Sequence, residues 1–408
     1  MNEVVNYFIV TRNRPALLRE CLSSLAAGHQ SRLHHLDGKI YVVDDSTSGA
    51  QRRSVFSICS RRKHKLPVFY LGEAAYAALL DEIKNRTGFE ARSLQPLVGP
   101  LGRPGWNVPA ARNFAWLFAR THLRAAPLYC FLDDDIRVGP ATYLEQRFNP
   151  DALNIISDNL RTLRSPSPVA LSSSFLGRQD VTLSRHVEIR SRGLLRSAKS
   201  RLRHLNRGFP ISVATRRAEI DTFDDMPSSG FLVTNYAAIS SAHLSGLYNE
   251  DWLWARLLSA EENAKIARLK PAALHVAPAG ACSPAAILLQ EMGEIFYDAL
   301  TSVLLQKPSE EDSIDFVRHH LGKTALRIAA EDHIAVLVGR VRITSKAVAA
   351  LDRSPDKRLV PAEQSLKAYL DGITEAIQKL GAGEYTKYLP RFHAYLDEIP
   401  LWRRLVLE

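Results

Sequence analysis

The stretch YCFLDDDIRV, residues 129–138, runs four apolar or aromatic side chains straight into three consecutive carboxylates. Like charges at the end of a buried strand repel one another and lose hydration, at several kcal/mol or more. Such a cluster needs a cation, a basic partner or open solvent. Asp-x-Asp at a strand end can place two carboxylates on one divalent ion, and hard oxygen ligands suit Mg²⁺ or Mn²⁺. The apolar run before the acids argues against a fully exposed loop. Asp133 and Asp135 are therefore read as metal ligands, with a solvated turn capping a helix start as the alternative.

Working outward, residues 4–10 (VVNYFIV) are short, β-branched and aromatic, and predict a buried strand. Asn13 is the expected N-cap of a helix opened by Pro15, with Leu17, Leu18, Cys21, Leu22 and Leu25 at helical spacing. KIYVV (39–43) predicts a second strand, ending at Asp44 and Asp45, and PVFYL (67–71) a third. Pro109 opens a helix with Phe114, Leu117 and Phe118 on one face; LYCFL (128–132) is the next strand. This alternation predicts an open, largely parallel sheet, which binds ligands at the carboxyl ends of its strands. VALSSSFLG (169–177) reads as a strand, and residues 228–240 as strand then helix. From about Ala286 onward the periodicity is helical almost throughout.

The chain has 408 residues, 46% hydrophobic and 24% charged, which fits a globular protein of two or three domains. No apolar run reaches the roughly 18 residues of a membrane span. The N-terminus reads as a first strand and not as a signal peptide. Cys21, Cys59, Cys130 and Cys282 are far apart, as expected of buried free thiols in a reducing compartment. The net charge of +10 is concentrated. From Arg185 to Arg217 ten basic residues face one acid, Glu188, a local charge of +9. That segment is expected to be an irregular, mobile loop. It suits a diphosphate, an anionic acceptor or a membrane surface. Nucleic acid is not expected, because the segment lacks interleaved aromatics and a recognition motif.

In order, TRNRP after the first strand, VVDDST, PAARNFAW, FLDDD, SSGF and YNEDWLW resemble the nucleotide-sugar glycosyltransferases of the GT-A fold, and most closely the large inverting family. The resemblance covers roughly residues 4 to 280. It departs where Asp45-Ser46-Thr47 replaces the usual Asp-Gly-Ser, and where a long insertion precedes PAARN. It implies an α/β fold with a Rossmann-like, mostly parallel sheet sandwiched by helices. Residues 1–284 would form the catalytic domain and 285–408 an α-helical C-terminal region.

For the site, the resemblance implies that Thr11 and Arg14 lie against the nucleotide base. Asp44 or Asp45 would accept from that base, which favours a UDP-sugar. Arg112 would reach the nucleotide or sugar, or else pair with a strand-end acid. Asp133 and Asp134 would face the nucleotide, and Asp133 and Asp135 would hold Mn²⁺ or Mg²⁺, with His275 as an additional ligand. In YNEDWLW, Asp251 is the expected general base and Glu250 the runner-up; the alternative is two acids favouring a helix dipole. Trp252 and Trp254 cannot share a helical face, so one is expected in the core. The acceptor stays open between a saccharide, a lipid-linked saccharide, a peptide and a metabolite. The helical region could bind the acceptor, form a homodimer or only pack. The expected location is the cytoplasm or the inner membrane face. Two rivals remain. A sugar-phosphate nucleotidyltransferase would open with a Gly-rich loop, absent from TRNRP, and a scaffold with a degenerate fold would bind no donor.

Overall fold

The computed structural model describes residues 3–30, 36–61, 67–89, 95–104, 107–123, 128–138, 169–177, 220–223, 227, 230–244, 246–262, 264–276, 283–353 and 360–407. The basic segment 185–217 and Cys282 lie outside them. Cys21, Cys59 and Cys130 are buried and free, as expected.

Ten strands form one mixed, mostly parallel sheet: β1 (Glu3–Thr11), β2 (Leu36–Asp37), β3 (Ile40–Asp44), β4 (Val68–Leu71), β5 (Leu128–Asp133), β6 (Ile136–Arg137), β7 (Ala170–Gly177), β8 (Ile220–Phe223), β9 (Phe231–Asn235) and β10 (Ile266–His275). The order is β4-β3-β1-β5-β9-β7-β10-β6, with β2 beside β1 and β8 beside β10. The strands β4, β3, β1 and β5 run parallel, and β9 pairs antiparallel with β5. The continuous apolar runs make sense because both faces are covered. Strand side chains alternate, so Phe8 and Val10 enter one core while Val5, Tyr7 and Ile9 enter the other. Leu18, Cys21, Leu22 and Leu25 of the helix Pro15–Gln30 cover the second face. The helix Val108–His122 lies on the first, buried along most of its length.

Register places the chemistry. Thr11 pairs with Asp44, and Val10 with Asp133. Three strands therefore end level, and both acidic clusters emerge at one edge.

Asn13 does not cap the first helix. Its φ is 55°, and its side chain instead reaches the β3 loop, donating to Thr47 Oγ1 (3.0 Å) and accepting from the Thr47 N–H (3.0 Å). Asn tolerates this left-handed conformation better than most residues. The Arg14 carbonyl accepts the first helical bond, from Leu18 (3.1 Å). Strand β10 is also longer than the sequence suggests. Pro271 has no N–H and reads as a breaker, but it falls inside a register shift between Leu269 and Ala273.

The expected helical C-terminal region is present as Pro284–Leu305, Ser313–His320, Lys323–Asp352, Val360–Gly381 and Leu389–Leu407. It shares one apolar core with the sheet's first face. Trp402 Nε1 donates to the Ile239 carbonyl (2.8 Å) and the Tyr395 hydroxyl to that of Ala242 (2.7 Å). At Gly293 a Cβ would run into the Tyr248 carbonyl, so this close approach needs glycine. Among the described residues no helix is long and apolar enough to cross a membrane.

Between Pro284–Leu305 and Lys323–Asp352 lies a buried ionic group. His333 Nε2 is 2.7 Å from Glu291 Oε2, and Arg340 is 3.3 Å from Glu291 and 3.8 Å from Glu294. Asp298 also faces His333's charge and lies beside Asp332, and Tyr369 hydrogen-bonds Arg340. Burial opposes protonation of His333, but Glu291 and Glu294 outweigh it and hold the imidazole above its ordinary range. A raised folded-state pKa means stability that is full below the unfolded value of about 6.5 and lost as pH rises through the folded value. The urea midpoint is therefore expected to fall as pH rises above about 6.5. That fall should be smaller in His333→Gln, and equal falls in the two proteins would remove His333 as the cause.

Candidate active site

The loops after β1, β3 and β5 meet at the level edge of the sheet. Asp45, after β3, is anchored by its N–H to the Thr11 carbonyl (2.9 Å). Its Oδ1 accepts from Gly102 N–H (2.6 Å) and Asn107 Nδ2 (2.7 Å), and its Oδ2 from Arg12. Gly102 has φ 75°, and a Cβ there would sit 2.8 Å from the Ser46 carbonyl. The loop before the helix Val108–His122 is thus folded tightly over the β3 end. Burial raises the Asp45 carboxyl, against Gly102, Arg12 and Asn107. Asp44 accepts from Ser46 N–H (3.0 Å) and from the Tyr70 hydroxyl (2.9 Å).

The acid triplet does not act as one unit. Asp134 is fully buried; Thr11 Oγ1 donates to it (2.6 Å) and Arg14 Nη2 lies 3.0 Å away. Burial pushes its carboxyl up to about 7 in spite of both partners. Asp135 receives Arg14 Nη1 (2.9 Å), and His275 Nε2 stands 3.5 Å from its Oδ1. Burial works to raise Asp135 as well, but His275, Arg14 and Arg137 overcome it and hold the carboxyl at about 2. Asp133 is the most exposed of the three, its side chain 27% accessible. The triplet's repulsion is thus met by protein cations on all three members, Arg14 on Asp134 and Asp135 and Arg112 on Asp133, with partial exposure of Asp133.

His275 arrives through the sheet. Strand β6 follows the triplet directly and pairs antiparallel with the end of β10, His275 opposite Ile136. The Val276 N–H donates to the Asp135 carbonyl (2.8 Å). Arg137 donates to the Asp134 carbonyl (2.9 Å) and pairs with Glu20 (2.7 Å), bracing the turn.

Arg112 joins the triplet to the acidic motif of residues 248–254. Its Nη2 lies 2.9 and 3.1 Å from the two Asp133 oxygens, and its Nη1 donates to Glu250 Oε1. The pairing with a strand-end acid is thus observed, and Glu250 joins it. The guanidinium is 6% exposed and its pKa rises above its ordinary value; burial opposes this, and Asp133, Glu250 and Asp251 outweigh it. Burial also pushes the Glu250 carboxyl up to about 8, against the pull of Arg112. Glu250 and Asp251 open the helix Glu250–Glu262. Glu250 is 2% exposed, whereas Asp251 is only half-buried. Trp254 is core and Trp252 lies edge-on to Tyr297, ring centres 5.7 Å apart.

The structure therefore brings Thr11, Arg14, Asp134, Asp135 and His275 into one group, and Arg112, Asp133 and Glu250 into a second, with Asp251 beside Glu250. Asp44 and Asp45 form a third group behind Thr11. Sequence reasoning missed Arg12, Tyr70, Asn107 and His243. Their partners are 26 to 33 residues away for Tyr70 and Arg12, 62 for Asn107 and 130 for His243, and no local pattern marks them.

No family model matches the chain, and no curated protein matches it. Among solved structures it is similar to the mannosyltransferase PcManGT from Pyrobaculum calidifontis in complex with GDP-Man and Mn²⁺, 13% identical, TM-score 0.43, covering 99% of this chain and 88% of that one. It is also similar to S. aureus TarS 1–349 in complex with UDP-GlcNAc, 14% identical, TM-score 0.40, covering 94% and 92%. A third is glucosyl-3-phosphoglycerate synthase from Mycobacterium tuberculosis in complex with Mn²⁺, UDP and glucosyl-3-phosphoglycerate, 13% identical, TM-score 0.34, covering 68% and 73%. The similarity is distant, and what the site can do follows from its own side chains.

Proposed function

We propose that this chain is a metal-dependent glycosyltransferase of the GT-A kind, moving a sugar from a nucleotide-sugar, UDP-sugar favoured, to an acceptor hydroxyl with inversion. The observation that carries this is the Arg112 bridge. It brings strand-end carboxylates suited to a diphosphate-bound cation within one guanidinium of a half-buried acid suited to proton removal.

Part of the expected donor set is gathered: His275 stands 3.5 Å from Asp135, while Asp133 pairs with Arg112, and among the described residues the three do not form one cluster of ligand atoms. Asp135 Oδ1 is buried, and its neighbour His275 at 3.5 Å is long for a hydrogen bond, so the oxygen is under-satisfied. Asp133 is accessible and Asp135 stays ionised. Two carboxylates with one imidazole suit Mn²⁺ better than Mg²⁺, which prefers oxygen alone. Asp135 and His275, joined by Asp133 on its release from Arg112, would hold the ion, which when bound supplies positive charge to the diphosphate leaving group. Arg14 keeps Asp134 and Asp135 in place, and Asp44 and Asp45 shape the wall beside the base. Asp251 takes the acceptor hydroxyl proton as the acceptor oxygen attacks the anomeric carbon in line. The bond from that carbon to the phosphate oxygen breaks, and its electron pair leaves with the nucleoside diphosphate.

The test is a thermal-shift panel of UDP, GDP, CDP, ADP and dTDP, each with and without Mn²⁺, on wild type and Asp135→Ala. A ligand at a hundredfold excess over its Kd stabilises the native state by about 2.7 kcal/mol. One nucleotide giving a metal-dependent shift, lost in Asp135→Ala, is the expected result. No shift with any nucleotide would sink the donor site and favour a scaffold.

A further inference from the structure

We propose that Asn113 and His243 are positioning residues that hold the Glu250–Asp251 turn in register with Arg112; this rests on the glycosyltransferase reading. The Asn113 side chain reads the His243 backbone as a neighbouring strand would. Its Nδ2 donates to the His243 carbonyl (2.8 Å) and its Oδ1 accepts from the His243 N–H (2.7 Å). Nδ2 also donates to the Leu97 carbonyl (2.8 Å). All these groups are buried, so the amide's orientation is fixed by its partners.

The His243 ring packs with two fully buried indoles in a three-ring cluster, the indole centres themselves 5.4 Å apart. Its centre is 4.7 Å from Trp116 and 5.3 Å from Trp254. One ring nitrogen hydrogen-bonds the Glu250 backbone, while Nδ1 is buried with no hydrogen-bond partner. An imidazolium would have to bury a second N–H without an acceptor, beside the Arg112 charge. Burial first, and Arg112 second, accordingly hold His243 well below its ordinary range. The ring is neutral, so it is not a proton carrier despite its place behind the site. Its use is geometric.

Arg112, Asn113 and Trp116 lie within about one turn of a single helix. Arg112 takes the Glu250 side chain, Asn113 takes the His243 backbone, and Trp116 packs at a tilt against the ring that takes the Glu250 backbone. One rigid helix thus fixes Asp133 on the donor side and the Glu250–Asp251 turn on the acceptor side. A shift of about 1 Å in a reacting group can lower turnover about 100-fold.

The test compares wild type, His243→Phe, which keeps an aromatic ring against the indoles, and Asn113→Ala. Hydrogen exchange of residues 248–254 is read alongside nucleotide affinity with Mn²⁺ and transfer kcat. The expected result is at least tenfold faster exchange in 248–254 in both variants, with β1 and β5 unchanged. Nucleotide affinity should stay within twofold while kcat falls about 10- to 100-fold. Unchanged exchange in 248–254 would overturn the proposal. So would faster exchange with kcat unchanged, or kcat and nucleotide affinity falling together with exchange rising across the whole sheet. A wild-type protein that binds no nucleotide fails the functional reading instead, and the exchange arm still decides whether His243 holds the turn.

Discussion

Arg112→Ala is expected to lower the unfolding free energy by about 3 kcal/mol and to abolish detectable transfer. Removing one partner of a buried ion pair costs about 3 to 5 kcal/mol, because the other charge is left without compensation. Here Glu250 is 2% exposed and would be stranded, while Asp133, 27% accessible, keeps water. Glu250 can also escape by taking a proton, so the lower end of the range applies. Urea unfolding of Arg112→Ala, Glu250→Gln and the double variant separates the pair from the rest. Glu250→Gln alone should be mild, since glutamine still accepts from Arg112 without a buried charge. The double variant should recover about 1 to 3 kcal/mol relative to the sum of the singles. A single variant within about 0.5 kcal/mol of wild type, the range of an ordinary surface change, would mean that the bridge is not a structural element.

Asp251→Asn is expected to lower kcat about 10²- to 10⁴-fold, the usual contribution of a positioned general base, with nucleotide affinity unchanged. The choice of Asp251 over Glu250 follows from their surroundings. Glu250 is buried and pinned by Arg112, and burial pushes its carboxyl up, so its oxygens are already committed to a partner. Asp251, next along the chain, is only half-buried, which suits the acceptor-side role proposed for it. If Asp251→Asn keeps kcat within tenfold while Glu250→Gln abolishes it, the two acids exchange roles.

Much of this protein was legible in its residues alone. VVNYFIV, KIYVV and LYCFL are apolar and β-branched or aromatic over five to seven positions, and they became β1, β3 and β5 because burial of both sheet faces rewards such runs wherever they occur. The helical C-terminal region was equally plain from periodicity. The acid triplet announced that something cationic had to meet it, because three carboxylates cannot share a buried strand end unaided.

What met it was decided by tertiary structure. Arg14 reaches Asp135 across 121 residues, and Arg112 reaches Glu250 across 138. His275 comes beside Asp135 because β6 pairs with the end of β10, and β10 itself runs past Pro271 through a register shift against β7 that no local propensity predicts. Asn13 shows the same limit on a smaller scale. Its residue type favours a helix cap, but two hydrogen bonds to Thr47 hold it at φ 55° in another role. Propensity and periodicity are properties of a few neighbouring residues. The pairing of one buried charge with another depends on where the register of the whole sheet brings them, and that is why the acids could be read in the sequence while of their partners only Arg112, as a possible partner of a strand-end acid, was foreseen.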